Sequence, residues 1–223
     1  QQKIITMAKD DPTLIPAAVA QIAATGSVTA DGIPLLIKAA KSPESTPATL
    51  AQSIETLAKT DDSGALSAMI TALTSLDKAK GFGKEQTAGR DSFLKAPKLE
   101  NHHLAIEKMA SEKFGTPENG WANAALLALA ERKNGSPESR EMSNKAIDLA
   151  WQNPQHKIEL LHTIADKYTT HHIDSRILVA LSDPDKSVAQ AASKAAGRLK
   201  LQKPGDDNTP KIATLTPEAA IDQ

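Results

Sequence analysis

Apolar residues recur with a helical period along most of this chain. In one segment the apolar stripe consists of Leu66, Met69, Ile70, Leu73 and Leu76. Spacings of three and four residues place such side chains on one face of a helix. No segment alternates apolar and polar residues with the β-branched enrichment that is typical of a strand. We therefore predict an all-α protein with essentially no sheet.

The apolar stripes and the turn residues between them predict about twelve helices. Their predicted ranges are 3–9, 13–25, 31–41, 47–60, 63–79, 85–95, 100–114, 118–133, 137–152, 156–170, 174–182 and 186–201. From Pro97 onward, most prolines are about 20 residues apart, which is the length of one helix and its turn. This interval is typical of antiparallel helical hairpins that stack into an α-solenoid.

Four segments carry the same signal for a helix start, in which a hydroxyl residue is followed by proline and glutamate. They are Ser42-Pro43-Glu44, Thr116-Pro117-Glu118, Ser136-Pro137-Glu138 and Thr216-Pro217-Glu218. The hydroxyl can cap free backbone N–H groups, and proline occupies a position that needs no donor. The acid then faces the positive end of the helix dipole. We expect a helix to begin at each of these segments.

Two changes in composition predict the domain organisation. Glycine and lysine are concentrated around residues 77–98, and a Pro-, Gly- and Asp-rich stretch follows Leu201. We expect an N-terminal helical-repeat array at 1–80, an irregular connection at 81–97, a C-terminal array at 98–202, and a linker with a truncated tail at 203–223. The chain starts with Gln1 rather than Met, so we expect a processed or excised piece of a longer protein.

Residues 174–201 carry the most specific motif. A short apolar helix meets the turn Asp183-Pro184-Asp185, and the next helix is anchored by Val188. This segment resembles the HEAT repeat, in which such a turn joins two helices and a valine anchors the second. The carboxylate of Asp185 is placed to cap that helix. The position after the turn, often Arg in the family, is Lys186 here, which puts a charge ladder between repeats in doubt.

A narrower resemblance covers residues 98–223. This part is similar to the HEAT-repeat region of large exported bacterial proteins that join a dehydrogenase-like β-propeller to a C-terminal c-type cytochrome. The resemblance implies a periplasmic or exported location and an electron-transfer context. It also implies that neighbouring domains, including a c-type cytochrome domain, are the partners, and that redox chemistry resides there. A cytoplasmic location is the alternative.

The composition narrows the classes of function. Lys and Arg total 26 against 27 Asp and Glu, for a net charge of -1, whereas nucleic-acid binders usually carry an excess of basic residues. The chain has no cysteine, which excludes disulfides, thiolate metal sites, cysteine nucleophiles and covalent haem attachment within it. No apolar run approaches the roughly 20 residues needed to span a bilayer. We predict no cofactor, no nucleic-acid partner and no membrane span.

Two histidine pairs, His102-His103 and His171-His172, are the candidate ligands for a metal ion or haem. Adjacent residues of a helix point about 100° apart, so one pair rarely supplies two ligands to one ion. A site would need one histidine from each pair and a carboxylate. The alternative, which we favour, is that both pairs lie in interhelical turns. No His-Glu dipeptide occurs, which excludes the iron chemistry of HEAT-type hydroxylases.

Trp121 and Trp151 are the candidate interaction residues, because tryptophan is enriched at binding hot spots. Both lie near predicted helix ends, where tryptophan more often fills the joint between repeats. No Gly-x-Ser-x-Gly elbow occurs, and Gly81-Phe82-Gly83 lacks the third glycine and the preceding strand of a dinucleotide loop.

The function expected from the sequence is that of a non-catalytic HEAT-like scaffold that docks a partner protein or neighbouring domains. One alternative is a metal- or haem-binding helical protein that uses the two histidine pairs. Another is a HEAT-type enzyme, such as a DNA glycosylase or a pigment lyase.

Overall fold

The computed structural model describes residues 2–26 and 28–201, and these contain twelve α-helices and no strand. The helices are α1 Gln2–Asp10, α2 Ile15–Thr25, α3 Gly32–Lys41, α4 Pro47–Leu57, α5 Ala65–Lys78, α6 Gly83–Leu94, α7 His103–Glu112, α8 Pro117–Glu131, α9 Pro137–Gln152, α10 Pro154–Asp166, α11 Asp174–Ala180 and α12 Lys186–Leu199. Short 3-10 helices, Pro12–Leu14 and Leu99–His102, precede α2 and α7. The predicted all-α class is confirmed. The predicted tail at 203–223, with its helix start at Thr216, lies outside the described residues.

Local capping sets the start of α8 and α9, as the sequence predicts. The Thr116 hydroxyl accepts a hydrogen bond from the backbone N–H of Asn119 at 3.2 Å. The Ser136 hydroxyl accepts one from the backbone N–H of Ser139 at 3.0 Å. In both helices proline follows the cap, where its missing N–H leaves no hydrogen bond unmade.

The start signal at Ser42 begins no helix, because Ser42 ends α3 instead, whereas the predicted range 47–60 has the correct start. Its backbone N–H donates to the carbonyl of Ala39 at 3.2 Å, and the Ser45 hydroxyl donates to the same carbonyl at 2.7 Å. Helix α4 begins at Pro47, where Thr46 supplies the side-chain cap. The pair Thr46-Pro47 repeats the start signal four residues further on. The first signal starts no helix because the Ser42 backbone N–H bonds to the Ala39 carbonyl at the end of α3.

The helices pack in two interlocking series. The even-numbered helices contact one another in succession from α2 to α12, and each also packs against the odd-numbered helix before it. Among the odd-numbered helices α1 contacts α3, α3 contacts α5 and α7 contacts α9, while α5 packs against α8. Two apolar clusters fill the described interior, one from Ile5 to Ala146 and one from Leu127 to Leu199. None of the described helices is both long and apolar enough to cross a bilayer.

Helix α6, Gly83–Leu94, lies within residues 81–97, the segment predicted as a connection between two arrays, and it matches the helix predicted at 85–95. The inward face of α6 includes Gly89 and packs against α4 and α5. A Cβ atom on Gly89 would lie 3.0 Å from Leu76 Cδ1 and 3.1 Å from Ile54 Cδ1. The glycine therefore permits close helix packing instead of breaking the helix. The division into arrays at 1–80 and 98–202 stays a prediction.

We expect Gly89→Val to lower the free energy of unfolding by about 1–3 kcal/mol, because the added methyl groups collide with the side chains of α4 and α5. Urea denaturation followed by circular dichroism measures the change. The control is Gly197→Val in α12, where a Cβ meets no atom within 4 Å. Equal losses in the two variants would show that α6 is not tightly packed.

Helix α8 lies at the centre of the molecule and is buried on all sides. Every residue from Asn119 to Ala130 is buried, and α5, α6, α7, α9 and α10 all contact the helix. Its two buried amides are satisfied internally, since Asn123 Nδ2 donates to Asn119 Oδ1 at 2.8 Å. Asn119 Nδ2 in turn donates to the carbonyl of Ala110 at 2.7 Å, near the end of α7. An apolar helix with this composition is stable only when neighbouring helices surround it.

The turn between α11 and α12 has the capping geometry expected from the sequence. The Asp185 carboxylate accepts a hydrogen bond from the backbone N–H of Ser187 at 2.8 Å, and Val188 is completely buried. Asp183 pairs with Lys157 of α10 at 2.9 Å. The hydrogen bond from Lys157 holds the pKa of the Asp183 carboxyl below its usual range. A charge pair thus joins this hairpin to the preceding one, although it is made by Lys157 and not by the residue after the turn.

Candidate interaction surface

Polar contacts link the successive turns that follow α4, α6, α8 and α10, and we call the surface of these turns (58–64, 95–102, 132–136 and 167–173) the turn edge. At its first step Asp61 receives a hydrogen bond from Asn101 Nδ2 at 2.6 Å and an ion pair from Lys98 Nζ at 3.2 Å. The hydrogen bond from Asn101, followed by that from Lys98, holds the pKa of Asp61 below its usual range. The turn after α4 is therefore bonded to the turn after α6.

The next step of the turn edge joins the ends of α6 and α8. Arg132 donates from one terminal nitrogen to the carbonyl of Ala96 at 3.0 Å and from the other to that of Leu94 at 2.9 Å. These carbonyls lie at the end of α6, where a cation is favoured by the helix dipole. The Glu100 carboxylate accepts a hydrogen bond from the backbone N–H of Ser136 at 3.1 Å.

The last step joins the end of α8 to the turn after α10 through one carboxylate. Glu131 accepts hydrogen bonds from the hydroxyls of Tyr168 and Thr170, the latter at 2.6 Å. Burial, followed by the hydrogen bond to Glu131, raises the pKa of the Tyr168 phenol well above its usual value. Tyr168 is therefore a protonated donor at every physiological pH.

A cleft of about 800 Å³, here called the central cleft, opens on the turn edge between the ends of α6 and α8 and the turn after α10. Five basic side chains line it: Arg90, Lys95, Arg132, Lys133 and Lys167. Three acidic side chains line it as well: Asp91, Glu100 and Glu131. Basic residues exceed acidic ones by two, in a chain whose overall net charge is -1. The charge of the cleft is thus opposite in sign to that of the chain.

Most of the charged groups of the central cleft are engaged within the protein. Lys95 pairs with Asp91 at 2.9 Å, and Lys167 pairs with Asp77 at 2.8 Å. Arg90 is different, because it makes no hydrogen bond or ion pair among the described residues. Its Nε atom is buried without a partner, although the side chain as a whole is only half-buried. Arg90 is therefore a cation that the fold brings to the cleft and leaves unpaired.

Trp121 of α8 forms the floor beneath this cation. It is 1% exposed and meets Phe93 edge to face, with ring centroids 6.1 Å apart. The Arg90 guanidinium carbon lies 5.9 Å from the centre of the Trp121 ring, and Lys167 Nζ lies 4.7 Å from it. Both distances are within the range of cation–π attraction. Two cations thus share one aromatic ring, and only Lys167 has an acidic partner.

Lys167 reaches this position because Gly120 has no side chain. A Cβ atom on Gly120 would lie 2.7 Å from Lys167 Cε. The lysine side chain crosses the helix backbone at this point, between Asp77 of α5 and the Trp121 ring. Glycine in a sequence usually indicates a turn, but Gly120 lies within α8 and is needed there for this close approach.

The two tryptophans predicted as interaction residues lie in different environments. Trp121 is part of the core, so a partner cannot contact its ring directly, and its predicted role is corrected to that of a filler between α6, α8 and α10. Trp151 is half-buried at the end of α9 and packs against the second apolar cluster. Lys157 Nζ lies 5.7 Å from its ring centre. A binding role for Trp151 stays a prediction.

The first histidine pair is buried at the start of α7. His103 is 5% exposed, and its Nε2 forms a hydrogen bond of 3.1 Å with Ser143 Oγ. His102 is 8% exposed, and its Nε2 is buried without a partner. Burial lowers the pKa of both imidazoles, against the opposing effect of nearby carboxylates. Both rings are therefore neutral around pH 7 and serve as packing residues.

The second pair lies in the turn before α11 and is exposed. His171 Nδ1 lies 2.8 Å from Asp174 Oδ2, and His172 Nε2 lies 2.7 Å from Asn144 Oδ1. Within residues 2–26 and 28–201, no three His, Asp or Glu side chains come together in a way that could hold a metal ion. The histidine pairs therefore have no geometry that favours the alternative of a metal-binding protein.

Comparisons of the chain with protein-family models, with curated proteins and with solved structures find no match. The cleft therefore has to be interpreted from its own residues.

The residues of the central cleft were not singled out by sequence reasoning. One signal could have found them, because Lys59, Lys95, Arg132 and Lys167 follow successive even-numbered helices at intervals of about 36 residues. Each lies at or just beyond a helix end, where a positive charge is favoured by the dipole. The interval covers two helices and their turns.

Proposed function

We propose that this chain is a non-catalytic, HEAT-like scaffold whose hairpins stack as an α-solenoid and whose turn edge docks a partner protein. The observation that carries the proposal is the set of polar contacts linking successive turns, from Asp61 through Arg132 to Glu131. Contacts of this kind keep neighbouring hairpins in register and leave one continuous edge exposed. Stacked hairpins suit docking because they present a long surface that needs no mobile loop.

The succession of even-numbered helices supports the solenoid. In a solenoid each repeat contacts mainly its neighbours, and the contacts from α2 to α12 follow that order. The Asp183–Lys157 pair links the HEAT-like hairpin to α10 in the same way. The packing of α5 against α8, where α7 would follow in a regular series, departs from that order.

The absence of catalysis is proposed from the state of the ionisable groups in the cleft. Glu131, Glu100 and Arg132 are engaged in hydrogen bonds that join the turns. A general acid or base needs a free position within reach of substrate. The broader setting, an exported or periplasmic redox protein with a c-type cytochrome domain as partner, rests on the resemblance of residues 98–223 alone. A cytoplasmic protein with another partner is the alternative.

A photo-crosslinking amino acid placed at Lys133, on the exposed rim of the central cleft, tests the docking surface. We expect a discrete adduct with one partner protein in cells that naturally produce this chain. The control position is Lys194 on the exposed face of α12, from which no such adduct should form. The partner, once identified by mass spectrometry and purified, should bind the chain at a one-to-one ratio. Adducts of equal yield from both positions, or none from Lys133, would contradict the proposal.

A further inference from the structure

The Arg90 guanidinium has no acidic partner among the described residues, and it lines the central cleft. A charged group with an unbonded donor carries a desolvation cost, and donating a hydrogen bond to an external acceptor offsets this cost. Arg90 Nε is buried without a partner, whereas the nearby Lys167 forms an ion pair with Asp77. A planar guanidinium presents donors whose geometry matches a carboxylate with two parallel hydrogen bonds. The exposed part of the Arg90 guanidinium is therefore open to an acceptor from outside the described residues.

The walls of the central cleft favour a carboxylate at that position. Lys133 is exposed on the rim and, like Arg90, has no ionic or hydrogen-bonding partner among the described residues. Two free cations on one open cleft of about 800 Å³ provide room for a chain segment with more than one acidic side chain. In an extended peptide, alternate residues on one face are roughly 6.6 Å apart, so neighbouring acids can reach different cations.

Nucleic acid is a poorer match to the same cleft. Binding of single strands relies on exposed aromatic rings that stack with bases. Trp121 is 1% exposed, and Tyr168, the one aromatic among the lining residues, has its hydroxyl bonded to Glu131. We propose that the central cleft binds an acidic, extended peptide segment of a partner protein, with Arg90 as the anchoring cation. This inference rests on the proposed function, since it names the chemistry of the segment that docks on the turn edge.

The test uses a fluorescein-labelled oligoglutamate peptide about eight residues long, which is roughly 26 Å when extended. We expect its fluorescence anisotropy to rise with the chain at an ionic strength of about 50 mM, where screening is modest. Arg90→Gln should weaken binding about tenfold or more, as expected when one member of a buried charge pair is lost. Arg90→Lys, which keeps the charge but not the planar fork, should give an intermediate affinity.

Arg198→Gln is the matched control, because it removes the same charge from the exposed face of α12. Its affinity for the peptide should stay within about twofold of the unmodified chain. A second measurement does not depend on the folding of the Arg90 variants. In Trp151→Phe protein, Trp121 is the remaining tryptophan, and its emission should change when the peptide binds because the ring lies 5.9 Å from the Arg90 guanidinium.

The inference would be overturned by no binding of the peptide, by equal losses from Arg90→Gln and Arg198→Gln, or by tighter binding of an oligothymidine of the same length. An unchanged Trp121 emission on peptide binding would also overturn it. A partner that crosslinks from Lys133 while the oligoglutamate peptide fails would leave the scaffold proposal in place and refute only the acidic chemistry. Failure of both experiments would refute the docking surface itself.

Discussion

Replacement of Trp121 by alanine is expected to lower the free energy of unfolding by about 3–5 kcal/mol. Trp121 is the largest of the fully buried side chains among the described residues. It lies on α8, which packs against both α6 and α10. Its removal would leave a cavity next to Phe93 and would take away the ring that attracts Arg90 and Lys167. The neighbouring helices are joined by turn contacts at their ends, so they cannot close the cavity completely.

Urea denaturation monitored by circular dichroism measures this loss, and two further variants help to explain it. Trp151→Ala removes the same kind of side chain from a half-buried position and should cost much less. Trp121→Phe keeps an aromatic ring and removes an indole Nε1 that is buried without a partner. It should therefore cost less than Trp121→Ala. Equal losses from the two alanine variants would mean that Trp121 does not fill a tightly packed joint.

Lowering the pH from about 7.5 to about 5.5 is expected to destabilise the protein through His102 and His103. Burial lowers the folded-state pKa of both imidazoles below their ordinary value. The unfolded chain therefore takes up protons first as the pH falls. The stabilising contribution of each histidine is complete above the unfolded-state pKa. It decreases as the pH falls through that value toward the folded-state pKa. The slope can approach about 1.4 kcal/mol per pH unit for each group.

The groups around the two rings do not reverse this sign. Glu107 lies 3.9 Å from His103 Nδ1, and Asp61 and Asp62 face His102, but burial is the larger effect at both histidines. Ser143, which bonds His103 from α9, is neutral in this range. Chemical denaturation at several pH values gives the slope for the unmodified chain and for the double variant His102→Gln/His103→Gln.

The double variant should show a shallower slope than the unmodified chain. It should keep a part of the slope, since burial also lowers the pKa of His156, which stacks against Phe114. The control is Arg198→Gln, an exposed substitution on α12 that removes no imidazole, and which should leave the slope unchanged. If the double variant and the unmodified chain have the same slope, the buried pair is not the source of the pH dependence.

The helices themselves were largely predictable, because their signals are local. Capping at Thr116 and Ser136 and the apolar stripe of α5 depend on residues within one or two turns of one another. The error at Ser42 has the same local scale, since two start signals stand four residues apart and only one begins a helix. Choosing between them depends on how α3 ends, and a capping pattern does not contain that information.

The close packing of α6 has a different origin. Gly89 weakens the helical signal when the segment is considered alone, and its benefit appears only where Leu76 and Ile54 approach within about 3 Å of its missing Cβ. Those contacts come from two other helices. The helix was therefore predictable from its own residues, whereas the packing role of its glycine was not.

The candidate site was the least predictable part. Arg90, Arg132 and Lys167 are far apart in the sequence and appear as ordinary charged residues on helices. Only the stacking of α6, α8 and α10 brings them to one cleft and decides which cations are paired. The histidine pairs were conspicuous in the sequence, yet one is buried in a joint and the other lies in an exposed turn.

The sequence by itself determined the class of fold, the number of helices and most of their ends, because periodicity and capping act over a few residues. It also excluded cysteine chemistry, since that depends on composition alone. The tertiary structure decided which helices are in contact and left Arg90 Nε without a partner. It also showed that neighbouring side chains approach too closely for a larger residue at Gly89 or Gly120. These features depend on distances between residues remote in the chain, and such distances are set by packing.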